Sequence, residues 1–341
     1  DTTGAAIWHA GGVRVGGGDG LMHGGGGGSL GPVTAIEGIG PHRVLMHRES
    51  AAAWHGDERQ GLFKVDANPA HVALSRSGQI LALVVPNVGL RIHDFRSGAP
   101  LFSAEPDTGT ATSVNAGGDV VSIQSKTSGI RWWHLANNRG FSLPWPVAHA
   151  LSGSGTWLGV VTPKGAVRIL DPATGHDAIA APIPLSDTPV RLIEFMNRNP
   201  SLLVLDSEGV LGHYDLTNSA QSGTPARGTD ILSINVPVDK MWGITGGELA
   251  ALRLPEAGRS SILWVNIRTQ EVVGEVSDLP RNTQIDTEHG RILVPSRAGA
   301  LLELDSEGRE LRVLRDLPDD QWISFSATGV LAASDGAGGA I

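Results

Sequence analysis

The twelve histidines of this sequence are its first candidates for acid–base or metal chemistry, because an imidazole titrates near neutral pH and binds transition metals. His9, His55 and His134 each follow a tryptophan, and His93 stands at the equivalent place before Asp94. They recur once per repeat at the end of the same strand, so they belong to separate units and do not converge on one ion. We interpret them as turn-capping groups that bond the backbone.

Other common forms of site chemistry are also missing from the sequence. Without cysteine there is no disulfide framework, thiolate metal site or cysteine nucleophile. No zinc-protease helix, calcium loop, P-loop or nucleophile elbow occurs, and Gly153-Ser154-Gly155 lies in a predicted hairpin, the wrong context for an elbow. The sequence therefore predicts no catalytic residue, no metal ligand and no cofactor.

Four residues are candidates for binding a partner. Trp145, between two prolines, and Trp322, after two aspartates, lie between repeats, where an aromatic side chain can anchor a peptide or stack on a sugar or ring. Glu248 and Arg259 lie in residues 246–262, an irregular stretch that predicts a loop insertion. Each also has a plain interpretation as a packing or solvated surface residue.

Two short phrases alternate along the chain and predict the elements that hold these residues. The first is an apolar run, a small polar turn ending in Gly and a second apolar run, as in residues 72–84 and 150–161. The second is a Gly-led alternating strand that ends in Asp and a turn, as in residues 89–98 and 165–175. Each phrase predicts a β-hairpin whose turn glycine adopts positive φ. One repeat therefore holds four strands.

The spacing of the phrases predicts an all-β protein, a single β-propeller domain over residues 1–341 with blades of four antiparallel strands. The leading glycines are spaced by about 40 residues, the period of a propeller blade. The predicted blades start near residues 33, 71, 110, 149, 190, 231, 282 and 321. These starts favour eight blades, with seven as the alternative.

The two ends of the chain indicate how such a ring would close. Residues 1–16 resemble the two outer strands of a blade, and the last residues resemble two inner strands. We therefore expect the N-terminal outer strands to pair with the C-terminal inner strands, which would remove the exposed sheet edges. Residues 16–31 are rich in Gly and predict a flexible connection.

The paired phrases resemble those of WD-repeat β-propellers, in a divergent, bacterial form. The resemblance is a pattern over nearly the whole chain: Trp-Asp is absent, and its nearest counterparts are His93-Asp94, Leu170-Asp171, Tyr214-Asp215 and Leu304-Asp305. A quinoprotein-type propeller remains the second choice. The four lysines against 22 arginines agree with a bacterial source of high GC content.

The resemblance implies a non-enzymatic scaffold that docks partner proteins or peptides, alone or within a larger assembly. A net charge of −9 disfavours nucleic acid, and no apolar run is long enough for membrane insertion. We expect a cytoplasmic protein, with an exported or periplasmic one as the alternative. Two other interpretations stay open: a fragment of a larger multi-domain protein, and a cofactor- or metal-dependent enzyme of the quinoprotein or lactonase type. The enzyme would use axial groups, for which His71, His149, Arg191 and Arg281 are candidates by position.

Overall fold

The computed structural model describes residues 7–9, 12–14 and 32–337, apart from residues 49, 66–67, 105–110, 127, 145–147, 180–182, 184–187, 197–200, 218–226, 245, 297–298, 318–320 and 335–336. The described residues form a ring of seven β-sheets, the blades of a β-propeller. The first strands of neighbouring blades contact one another around a central axis. The predicted propeller of four-stranded antiparallel blades is thus confirmed with seven blades, and eight is wrong.

The strands of each blade follow the chain from the axis outward. In order, the blades contain β3–β6 (Ala35–Ile39, His42–Met46, Ser50–His55, Glu58–Lys64), β7–β10 (His71–Leu74, Ile80–Val85, Gly89–Asp94, Pro100–Ala104), β11–β14 (Ala111–Gly117, Val120–Ser125, Gly129–His134, Arg139–Leu143), β15–β17 (Ala148–Leu151, Leu158–Val161, Val167–Leu170), β18–β21 (Val190–Phe195, Ser201–Asp206, Val210–Asp215, Arg227–Ser233), β22–β25 (Lys240–Gly243, Leu249–Pro255, Arg259–Asn266, Glu271–Pro280) and β26–β29 (Gln284–Asp286, Arg291–Pro295, Ala300–Leu304, Glu310–Asp316). In blade four, isolated bridges at Ile183 and Asp177 extend the third strand outward.

Turn chemistry and core packing explain why the repeated phrases fold in this way. The turn glycines have positive φ as predicted, for example 73° at Gly155 and 78° at Gly165. The aspartate that ends a third strand caps the following turn, as Asp171 does by accepting from the amide of Ala173 at 2.8 Å. The third strands also bury the large aromatic side chains that seal neighbouring blades, which are Trp54, Trp132 and Trp264.

Three predictions about the later blades are wrong. Residue 231 lies inside β21, the outermost strand of blade five, and blade six begins instead at Lys240. Residues 246–262 are no loop insertion, since most of them form the regular hairpin of β23 and β24. The start near residue 321 leads into β30 (Trp322–Ser326) and β31 (Gly329–Ala333), which extend blade seven to six strands and begin no eighth blade.

The predicted mode of ring closure is also wrong. Strands β1 (Ile7–His9) and β2 (Gly12–Arg14) pair with each other in a separate sheet, and β30 pairs with β29. Blade seven meets blade one directly, so no gap remains for a blade shared between the two ends. The connection predicted over residues 16–31 lies outside the described residues.

A buried ion-pair network holds blades one and seven together. We call the group Arg43, Asp286 and Glu303 the closing seam; all three side chains are fully buried. Arg43 Nε donates to Glu303 Oε1 at 2.6 Å, and its Nη2 donates to Asp286 Oδ2 at 3.0 Å. Arg312, on β29, also donates from Nε to Glu303 at 2.9 Å. Although burial opposes it, the charges of Arg43 and Arg312 hold the pKa of Glu303 below its usual range.

The C-terminal hairpin β30–β31 reinforces the seam from outside. Trp322 packs edge-on against Trp54 of blade one, with ring centroids 5.4 Å apart. Ser324 Oγ donates to Asp57 Oδ1 at 3.2 Å, and Arg312 Nη1 donates to the same oxygen at 2.6 Å. The hairpin therefore links blade seven to blade one through side-chain contacts, whereas the sequence predicted that the two ends of the chain would pair as strands.

Candidate functional site

The structure describes three of the four predicted partner-binding residues and does not bring these three together. Trp145 lies outside the described residues. Trp322 is half-buried and packs against Trp54 where the β30–β31 hairpin meets blade one. Glu248 and Arg259 are both exposed. Glu248 lies in the turn between the first and second strands of blade six, whereas Arg259 begins the third strand. Because the strands are antiparallel, these two residues lie at opposite ends of the blade, so they form no common site.

A different set of polar residues converges at the centre of the ring. Each innermost strand carries one of them, because side chains alternate along a strand and one face of each is turned to the axis. We call this set the axial cluster: Glu37, His71, Asn115, His149, Glu194, Lys240 and Gln284.

Electrostatic coupling shows that the charged members face one another across the ring. Lys240 of blade six interacts with Glu37 of blade one and Glu194 of blade five. Glu194 also interacts with Glu37, although blades five and one are three positions apart in a ring of seven. Such groups come within range only through the central opening.

The ammonium group of Lys240 is already engaged within the cluster. Its Nζ donates to Gln284 Oε1 at 2.5 Å and lies 5.0 Å from the centre of the Trp242 ring. Burial lowers the pKa of this lysine, and the nearby Glu37 partly offsets the effect. The lysine thus has a fixed position beside the two glutamates.

The two axial carboxylates have no such partners. Among the described residues, none donates a hydrogen bond to a carboxylate oxygen of Glu37 or Glu194, and none forms an ion pair with either carboxylate. Burial raises the pKa of Glu37, and it raises that of Glu194 to about 8 although Lys240 acts against it. Both residues are half-buried, and carboxylates in a partly enclosed site without protein donors are stabilised by a proton or by a cation. These two carboxylates are therefore the groups of the axial cluster that are available to a ligand.

The two axial histidines are held in their neutral forms. His149 Nε2 lies 3.0 Å from Asn115 Nδ2, and its Nδ1 lies 3.3 Å from Gln124 Oε1. These contacts fit a neutral ring that donates from Nδ1 and accepts at Nε2. His71 Nε2 donates to the carbonyl oxygen of Ala111 at 3.0 Å. Burial lowers the pKa of both histidines, to about 4 for His149.

The buried histidine makes a prediction about acid stability. Between pH 6.5 and about 4 the unfolded chain binds a proton that folded His149 excludes, so stability is lost as the pH falls through this window. Between these two pH values, the free energy of unfolding of His149→Gln is expected to fall less than that of the wild type. The difference is up to about 3 kcal/mol, since each pKa unit corresponds to about 1.4 kcal/mol. Urea unfolding at pH 7, 5.5 and 4.5 measures the difference. The exposed His176→Gln is the control, and an equal acid response in both variants would contradict the assignment.

The other histidines and arginines that were predicted to lie at the axis or in turns do not belong to the axial cluster. Arg191 is exposed and donates to the carbonyl of Val238 at 3.3 Å, and Arg281 is exposed in the turn after β25. His93 bonds the carbonyl of Gly98 at 3.0 Å, as predicted for a turn-capping imidazole. His134 lacks such a bond, because its buried Nδ1 has no partner among the described residues.

Comparison with known proteins supports the fold. No family model matches the chain, and no curated protein matches it. The β-propeller domain of Cps50 (Swd1) from Myceliophteria thermophila superposes with a TM-score of 0.61 and 12% identity, over 82% of this chain and 95% of that one. The computationally designed Ika8 protein superposes with a TM-score of 0.55 and 12% identity, over 80% of this chain and 82% of that one.

The described residues thus have the fold of a seven-bladed β-propeller. At 12% identity the likeness to Cps50 extends to the fold alone. Within the described residues, no group of three or more His, Asp or Glu side chains could hold a metal ion. The same part of the chain contains no helix of the length and hydrophobicity that a membrane crossing requires.

Position along the strands allowed part of the axial cluster to be predicted. His71 and His149 were candidates because they begin innermost strands, and both belong to the cluster. The other five members were missed, since no motif surrounds them; they are Glu37, Asn115, Glu194, Lys240 and Gln284. An isolated charged residue within an otherwise apolar innermost strand, as Glu37 is within residues 35–39, is the signal that marks such a position.

Proposed function

We propose that the protein is a non-enzymatic interaction platform whose axial opening receives a basic side chain of a partner protein. One observation carries the proposal: Glu37 and Glu194 converge on the opening without a hydrogen-bond donor among the described residues. The only axial cation, within the same part of the chain, is Lys240, which already donates to Gln284. A lysine or arginine from outside would supply the charge and the donors that these carboxylates lack.

The two axial glutamates favour a cation over an anion. At pH 7 Glu194, with a pKa of about 8, holds its proton. An entering cation stabilises the ionised form of both carboxylates and drives that proton off, whereas an anion disfavours their ionisation. The rigid ring keeps the carboxylates in place, so little ordering free energy is lost on binding.

Short synthetic peptides test the proposal. We expect peptides with one central lysine or arginine to bind the wild-type chain in fluorescence anisotropy, and peptides with glutamine or glutamate there to bind at least tenfold more weakly. The double variant Glu37→Gln, Glu194→Gln should lose this preference, while Glu248→Gln, an exposed change outside the axial cluster, should keep it. Equal binding of basic and neutral peptides, or unchanged binding by the double variant, would contradict it.

An enzymatic or cofactor-binding axis is the second candidate function. It is favoured by the shifted pKa of Glu194 and by the presence of His71 and His149 in the same cluster, because perturbed titratable groups gather at catalytic sites. The fixed hydrogen bonds of both imidazoles support a structural role instead. A rise of several degrees in melting temperature with a quinone or a divalent metal would favour the enzyme, and no change would favour the platform.

A further inference from the structure

Strand β31 is an open sheet edge on the outside of the ring, away from the axial opening. It is the last strand of the six-stranded sheet and pairs only with β30 among the described strands. Four of its five residues are exposed, including Val330 at 46% and Leu331 at 48%. Its backbone donors and acceptors on the outer side therefore lack partners in the described part of the chain.

This edge has a β-bulge at Leu331 but lacks the charged residues and proline that protect the other outer strands. Charged side chains and proline on an edge strand prevent pairing with another chain. Each of the other described outermost strands carries at least one such residue: Glu58 in β6, Pro100 in β10, Arg139 in β14, Arg168 in β17, Asp230 in β21 and Glu271 in β25. The sequence of β31, Gly-Val-Leu-Ala-Ala, contains none.

The edge is also held in a fixed conformation. Trp322 donates from its backbone amide to Ser334 Oγ at 2.9 Å, which closes the open end of the hairpin. Ala337 is fully buried and packs with Leu317 and Ile323 beneath β30. A preformed strand needs no ordering before it pairs, so its open side is ready to accept another strand.

We propose that β31 pairs antiparallel with β31 of a second copy of this chain. On either side of the bulge at Leu331, an antiparallel edge is complementary to itself about a two-fold axis, because each copy presents the same alternation of donors and acceptors. A chain with a net charge of −9 repels its copies, and an uncharged edge lets two strands approach without opposing carboxylates. The two six-stranded sheets would then form one continuous sheet.

The length of the strand sets the strength of this association. Five residues span about 17 Å, and a contact along so short a strand buries much less than the ~800 Å² per partner of a standard stable interface. The dimer should therefore be weak and concentration-dependent. This property distinguishes it from an obligate dimer.

Sedimentation velocity of the full 341-residue chain over a wide concentration range tests the proposal. We expect a reversible monomer–dimer equilibrium in the wild type and at least tenfold weaker association in Leu331→Lys. Leu101→Lys is the matched control, because Leu101 is 54% exposed on the outermost strand of blade two and lies beside Pro100. It should associate as the wild type does.

Hydrogen exchange supplies a second measurement that does not depend on a variant. The amides of residues 330–333 should become protected as concentration rises, while those of residues 101–104 should not change. A wild type that is monomeric throughout, an unaltered equilibrium in Leu331→Lys, or exchange independent of concentration would overturn the proposal. Occupation of the edge by a different protein, or by another part of a longer chain, would give the monomeric result.

Discussion

Replacing Arg43 by alanine is expected to destabilise the folded chain by about 3–5 kcal/mol, the cost of removing one partner of a buried ion pair. The substitution leaves Asp286 and Glu303 fully buried at the closing seam without their shared guanidinium group. It also removes donors to the carbonyl groups of Gly40 and His42. The ring should therefore open first between blades one and seven.

A matched arginine elsewhere separates this effect from a general loss of charge. Arg168 makes two hydrogen bonds to Asp177, both at 2.9 Å, but the side chains of both partners are more than one third exposed. Arg168→Ala should cost at most about 1 kcal/mol. Urea unfolding followed by circular dichroism measures both variants. Equal losses of unfolding free energy in Arg43→Ala and Arg168→Ala would show that the closing seam contributes no more to stability than a surface ion pair.

The second large effect is expected from Glu194→Gln, which should stabilise the chain at alkaline pH. Burial, with a smaller contribution from Glu37, raises the pKa of Glu194 from its ordinary 4.5 to about 8. Between these values the unfolded chain has lost the proton while the folded chain keeps it, so wild-type stability falls as the pH rises through this window. The variant lacks this titration and should gain a few kcal/mol at pH 8 relative to pH 5, at about 1.4 kcal/mol per pKa unit.

Thermal and urea unfolding of both chains at pH 5, 6.5 and 8 test this dependence. Glu248→Gln is the control, because Glu248 is exposed and its nearest cation, Arg268, lies 3.7 Å away in solvent. That control should follow the wild type at every pH. A Glu194→Gln variant that also runs parallel to the wild type would contradict the raised pKa.

The sequence predicted the repeating unit of this fold because turn chemistry is local. A glycine at positive φ and a capping aspartate act within a few residues, so the hairpin phrases were visible without any knowledge of the ring. The number of blades depended on long-range pairing. A hairpin such as residues 322–333 has the same pattern whether it begins a blade or extends one, and only its pairing with β29 decides between them.

The axial cluster was partly predictable for the same reason. His71 and His149 stand near the starts of predicted inner strands, which is a local feature. Glu194 is the fifth residue of β18, and its approach to Glu37 depends on the register and closure of seven blades. The seam contacts of Arg43 join residues about 240–260 positions apart in sequence, a separation across which no local pattern acts.

Calorimetric titration of a lysine-containing peptide at pH 7, in two buffers of different ionisation enthalpy, tests most directly whether the axial carboxylates receive a cation. Glu194 is protonated at this pH, and a bound cation should ionise it, so the wild type should release about one proton per complex and Glu194→Gln should release markedly less. Binding by the wild type without proton release, or the same release by Glu194→Gln, would contradict the account.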